Sequence, residues 1–177
     1  VTARPGLRPG HRARRFFGML WPLGPSRADD AWARAQLLDG EVRLWRRMGR
    51  ADRRHGVAVA RRTAAALGPA ADRAVLAAAL LHDVGKADSR LGPVGRALAT
   101  VVGLGGGRER ALALSRRRGL ARRVGLYLRH GEIGADMLAL AGADPLTVAW
   151  AREHHQPPAS WSVPPAVGAA LAAADDD

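Results

Sequence analysis

The 177-residue chain has no cysteine, one tyrosine, two phenylalanines and, against 27 arginines, a single lysine, Lys86. Lack of cysteine excludes disulfides, thiolate metal ligands and a thiol nucleophile, and fits a reducing compartment. Long hydrophobic runs are missing too. The most apolar stretch, LGPVGRALATVVGLGGG (residues 91–107), is broken by Pro93, Arg96 and repeated glycines. RRFFGMLWPLG (residues 14–24) has an apolar run interrupted by Pro22, well short of the roughly 20 residues that cross a bilayer. No transmembrane segment is expected. A cytoplasmic location follows, with Phe16, Phe17 and Trp21 either packing on the domain or touching a membrane surface peripherally. No segment shows the sustained period-2 alternation of half-buried strands.

What is present points to helix. Apolar residues make up 47% of the chain, mostly Ala, Leu and Val, with alanine the best helix former. An all-α fold of one domain is expected: a basic Pro/Gly/Arg-rich arm over residues 1–28, partly disordered, then a helical domain over residues 29–177. The net charge is +12. The arm carries Arg4, Arg8, Arg12, Arg14, Arg15 and Arg27 before the first acid, Asp29; a second cluster is Arg116, Arg117, Arg118, Arg122 and Arg123. Such patches suit phosphate backbones or anionic lipid, but the second has no interleaved aromatic platform for single strands. Solvated helix faces are the preferred reading, nucleic acid the disfavoured one, and the oligomeric state stays open.

Helix boundaries can be read locally. Asp29 and Asp30 are candidate caps, followed by an apolar face of Leu38, Val42 and Trp45. Asp52 opens a helix burying Val57, Ala60, Ala64 and Leu67 that Gly68-Pro69 ends. The next runs from about Ala70 to His82, with Gly85 closing it, and a Gly/Pro-containing connection follows. Shorter helices fit residues 94–102, 108–118, 121–129 and 133–141. Asp144-Pro145, an N-cap followed by proline at the first helical position, opens another to about His155. Pro164-Pro165 opens the last.

The histidines are His11, His55, His82, His130, His154 and His155. All but His11 fall on these helices or at their ends. With Asp83 beside His82, and three aspartates closing the chain, they form a ligand kit for iron, manganese, zinc or nickel. Adjacent helical residues point about 100° apart, so His82 and Asp83 can share an ion only at a helix end. His154 and His155 either straddle two ions or divide between ligand and supporting roles.

The order H…HD…H…HH…D, in DRRHGVAVA (52–60), LLHDVGK (80–86), YLRHGEIGADML (127–138), AREHHQPP (151–158) and LAAADDD (171–177), resembles the HD superfamily of metal-dependent phosphohydrolases. The resemblance covers about residues 38–177. It implies an all-helical domain in which His55, His82, Asp83 and Asp175 hold one divalent ion. It further implies that His130, His154 and His155 hold a second, with Asp83 bridging the two. Iron or manganese is expected first, with zinc, magnesium, nickel or cobalt as alternatives. Gln156-Pro157-Pro158 replaces the Glu and later Gly-Tyr-Pro of the cyclic-di-GMP phosphodiesterases, so their substrate does not carry over.

The expected activity is hydrolysis of a nucleotide-like phosphomonoester or phosphodiester by metal-activated water. In a chain that otherwise uses arginine, Lys86 stands out: a lysine near metals can have a lowered pKa and donate a proton, which arginine cannot. Lys86 and Asp83 are the candidate catalytic residues, and Lys86 and Arg54 the candidate substrate contacts. The alternatives are an HD-type di-iron oxygenase and a non-catalytic, metal-bound nucleotide-sensing or scaffold domain.

Overall fold

The computed structural model describes residues 24–103, 105 and 107–176, all helix, turn or loop without strands among them. The basic arm up to residue 23, with His11, Phe16, Phe17 and Trp21, lies outside the described residues. The helices are α1 (Arg27–Ala35), α2 (Asp39–Arg47), α3 (Arg50–Leu67), α4 (Arg73–Leu81), α5 (Lys86–Ser89) and α6 (Pro93–Gly103). They continue as α7 (Gly107–Ser115), α8 (Gly119–Leu128), α9 (His130–Leu140), α10 (Pro145–Glu153) and α11 (Pro165–Asp176). None is long and apolar enough to cross a membrane.

α4 is the axis of the bundle. Ala74 through Leu81 are all buried, which fits a helix that is apolar on every side. Fully burying Leu80 and Leu81 (both 0% exposed) stabilises the fold by about 1.5–3 kcal/mol each. Asp72 caps α4 by accepting from the Val75 amide. α3 and α10 pack on α4, α11 packs on α3, and α9 on α10. A smaller cluster of Leu91, Ala99 and Tyr127 joins α6 and α8. α5 packs on α8 and links the two groups.

Several local expectations shift. α1 begins at Arg27, inside the anticipated arm. Ser26 caps it, accepting from the Asp29 amide, while Asp29 and Asp30 sit in the first turn and favour its positive end. The buried face of α2 is Glu41, Leu44 and Trp45 rather than Leu38, Val42 and Trp45; Leu38 is 40% exposed. Glu41 turns inward because its carboxylate accepts from the Leu38 amide at 2.8 Å and meets Arg73 at 3.3 Å. The connection after Gly85 contains the short α5. α3 does end at Gly68, whose φ of 54° suits glycine.

Candidate metal centre

Helix ends deliver most of the candidate ligands to one place. His82 is the C-cap of α4, and Asp83 follows in the turn that leads to α5. His130 opens α9, His154 caps the C-terminus of α10 with His155 next, and Asp175 lies in the last turn of α11. His55 comes from the body of α3. Interatomic distances sort all seven into two groups: His55, His82 and Asp175, and Asp83, His130, His154 and His155. Within each, the donor atoms lie within 4.8 Å of one another.

Asp83 faces both groups. Its Oδ2 is 3.5 Å from His82 Nε2 and in contact with Lys86 Nζ; its Oδ1 is 3.3 Å from His130 Nε2 and 3.8 Å from His154 Nε2. His55 Nε2 is 2.8 Å and His82 Nε2 3.6 Å from Asp175 Oδ1. His155 Nε2 lies 3.1 Å from His130 Nε2. His154 and His155 therefore share one group and do not straddle the two.

The rings are set for coordination through Nε2. His82 Nδ1 lies 2.9 Å from the Ala79 carbonyl, His130 Nδ1 2.7 Å from that of Tyr127, and His154 Nδ1 2.9 Å from that of Ala151. Each is a contact to the residue three back. Nδ1–H donates to that oxygen, which leaves Nε2 as the lone-pair nitrogen. Asp83 Oδ1 and His154 Nε2 are buried without a hydrogen-bond partner, an arrangement that costs free energy unless something else binds there. Neutral imidazoles, carboxylates and orphaned buried acceptors suit a divalent metal ion.

Electrostatics keep the donors available. Burial, then the proximity of His155 and His82, pushes the His154 pKa well below its ordinary value. Burial, then His130, lowers His155 to about 4; although that residue is largely exposed, its ring reaches back onto His130. Both are neutral near pH 7. Burial works against the Asp83 carboxylate, but Lys86 and then His82 outweigh it and hold its pKa well below the usual range. Burial likewise opposes protonation of His82, yet Asp83 and then Asp175 raise its pKa.

The protein's own groups do not lower the Lys86 pKa. Burial lowers it, but the Asp83 carboxylate in contact with Nζ, with Tyr127 next, overrides burial and raises it above the ordinary lysine value. The protein's own charges keep Lys86 an ammonium, 15% exposed. Arg54 is half-buried on α3 one residue before His55 and belongs to neither donor group.

Three supports were not read from the sequence. Tyr127 supplies the carbonyl for His130 and sets its ring 5.7 Å from that imidazole. Arg62 on α3 donates to the Ala174 carbonyl through Nε (2.9 Å) and Nη2 (2.6 Å), tying the end of α11 beside His55. Glycines next to the ligands allow the helices to meet. A Cβ on Gly56 would lie 2.6 Å from the Leu80 carbonyl oxygen, and one on Gly85 2.0 Å from that of His130. The recurrence of glycine within three residues of His55, His82 and His130 is the sequence signal that would have revealed them.

The fold and donor set define an all-helical protein with a buried histidine–aspartate cluster competent to hold a metal ion. The chain matches no family model, no curated protein and no solved structure.

Proposed function

We propose that the chain is a metal-dependent phosphohydrolase of the HD type, acting with two divalent ions on a nucleotide-like phosphoester. The observation that carries this reading is Asp83. Its two oxygens address different histidine groups, and one of them is buried without a hydrogen bond. His55, His82 and Asp175 would hold one ion, and His130, His154 and His155 the other, with Asp83 between them; iron or manganese suits this mixed imidazole–carboxylate set. When bound, such ions lower the pKa of a coordinated water and neutralise phosphoryl oxygens.

The remaining chemistry belongs to the chain. The backbone carbonyls of Ala79, Tyr127 and Ala151 orient the imidazoles. Asp83 keeps Lys86 protonated next to the cluster, where a fixed cation stabilises charge developing on a phosphoryl oxygen. That role differs from proton donation and needs only the charge. Arg54, one residue before His55, would meet a further substrate oxygen.

Elemental analysis of protein purified without chelator, followed by turnover of bis(p-nitrophenyl) phosphate with Mn²⁺, tests the reading. Bound metal with Mn²⁺-dependent release of nitrophenol is expected. A chain that binds no divalent ion, or binds it and leaves the phosphoester intact, overturns it. Oxygen uptake by the iron-loaded protein would assign the site to oxygen chemistry instead.

A further inference from the structure

Beside the donor cluster, α5 and α8 enclose a cleft of about 470 Å³ lined by Asp88, Ser89, Arg90, Arg122, Arg123 and Leu126. We propose that this cleft binds a second phosphoryl group of the substrate, so that the protein acts on ligands carrying at least two. The proposal rests on the phosphohydrolase reading above and narrows its substrate class.

The charge of the cleft is unbalanced. Three guanidinium groups face one carboxylate, and Asp88 is already paired with Arg47 at 2.8 Å. Arg123 donates through Nε to the Ser89 carbonyl at 3.1 Å. Arg90 and Arg122 make no side-chain hydrogen bond or ion pair among the described residues. Guanidinium groups bind oxyanions through paired N–H donors and are less strongly hydrated than ammonium, so these arginines around one concavity suit an oxyanion such as phosphate. The volume suits a small ligand.

The backbone sets where Arg90 lies. It is the only described non-glycine residue with positive φ, at 49°, and it ends α5 just after the fully buried Ser89. A left-handed residue is a common way to end a helix, and here it puts Arg90 in the lining of the cleft.

Each wall of the cleft carries a residue that touches the donor cluster. On α5, Ser89 Oγ donates to the carbonyl of Lys86, whose Nζ contacts Asp83. On α8, Arg123 and Tyr127 are one turn of about 5.4 Å apart on the same face, and the Tyr127 carbonyl holds His130. A ligand that reaches from the donor cluster to the cleft must be extended, as a nucleoside polyphosphate or a dinucleotide is.

The test is an NMR titration of the arginine Nε–H resonances with inorganic phosphate. It is run on the wild type, on Arg90→Gln/Arg122→Gln, and on Asp83→Ala, which disables the donor cluster. Saturable shifts are expected in the wild type and in Asp83→Ala, and at least tenfold weaker binding in the double variant. Shifts that vanish in Asp83→Ala and persist in the double variant would put phosphate at the donor cluster alone and overturn the proposal, as would the absence of saturable binding. In turnover of bis(p-nitrophenyl) phosphate, the double variant should be inhibited by pyrophosphate at least tenfold more weakly than wild type. Equal inhibition of both proteins also overturns it. If phosphate binds the cleft but bis(p-nitrophenyl) phosphate is not hydrolysed, the hydrolase reading fails while the anion site stands.

Discussion

Gly85 has no room for a side chain because of His130: a Cβ there would lie 2.0 Å from the His130 carbonyl oxygen and 2.7 Å from the Gly134 amide nitrogen. The turn after His82-Asp83 is pressed against the first turn of α9, and this contact brings Asp83 Oδ1 to 3.3 Å from His130 Nε2. A methyl group would have to push two backbones apart. Gly85→Ala is therefore expected to cost about 3 kcal/mol or more, at the upper end of overpacking. Gly92→Ala is the control, since a Cβ there meets nothing within 4 Å, and it should stay within about 0.5 kcal/mol of wild type. Urea denaturation of both variants decides it; equal stabilities would mean that the turn accommodates a side chain.

Acid should destabilise the chelator-treated protein through His155. Its pKa falls from 6.5 to about 4 on folding, by burial first and His130 second. The unfolded chain thus takes up a proton at a higher pH than the folded one. The stabilisation is complete above pH 6.5 and is lost as pH falls from there through about 4. His154 acts in the same sense. His82 acts in the opposite sense, because its raised folded pKa adds stability at low pH that is lost as pH rises. Denaturation midpoints at pH 7 and pH 5 should differ less in His155→Ala than in wild type. An unchanged difference would remove His155 as the source.

Much of the helical scaffold was legible because its signals are local. Gly68 and Asp144-Pro145 each cap or break a helix through contacts within a few residues, whereas the Asp72 cap, which starts α4 at Arg73 and not at Ala70, was not read. The candidate ligands were legible from their order and residue types. Their partition came from the resemblance and not from the residues alone: His154 and His155 share a group because α10 ends against α9, and nothing in a pair of adjacent histidines encodes that. The burial of Glu41 was not read, since it depends on Arg73, 32 positions away. The pair of Asp52 and Arg96, joined through two contacts of 2.5 and 2.9 Å, spans 44 positions. The direction of the Lys86 shift depends on Asp83 and Tyr127 in the same way.

Lys86 as a fixed cation makes a prediction that differs from Lys86 as an acid. Lys86→Ala should lower turnover of bis(p-nitrophenyl) phosphate by about two orders of magnitude, the scale for losing one transition-state donor. Lys86→Arg keeps the charge and should recover part of the loss while leaving the shape of the pH–rate profile unchanged. Disappearance of a basic limb in Lys86→Arg would show that the lysine gives up its proton during turnover.

The two donor groups should empty differently. Asp83 touches both, through Oδ2 to His82 and Oδ1 to His130. Asp83→Ala should therefore reduce bound metal to near zero, and it also leaves Lys86 without the carboxylate that holds its charge. His130 belongs to one group only. His130→Ala should release one ion and retain the other, because His55, His82 and Asp175 remain with Asp83 Oδ2 nearby. Neither change opens the apolar core around Leu80, Leu81 and Leu138, so the helical content should be preserved. Elemental analysis of metal-replete protein gives the stoichiometry, and circular dichroism checks the fold. Two ions per chain in wild type, one in His130→Ala and none in Asp83→Ala is the expected series. A wild type that holds a single ion, with His130→Ala holding the same ion and the same activity, would exclude the paired site and leave His130 as the first residue of α9 with no role in coordination.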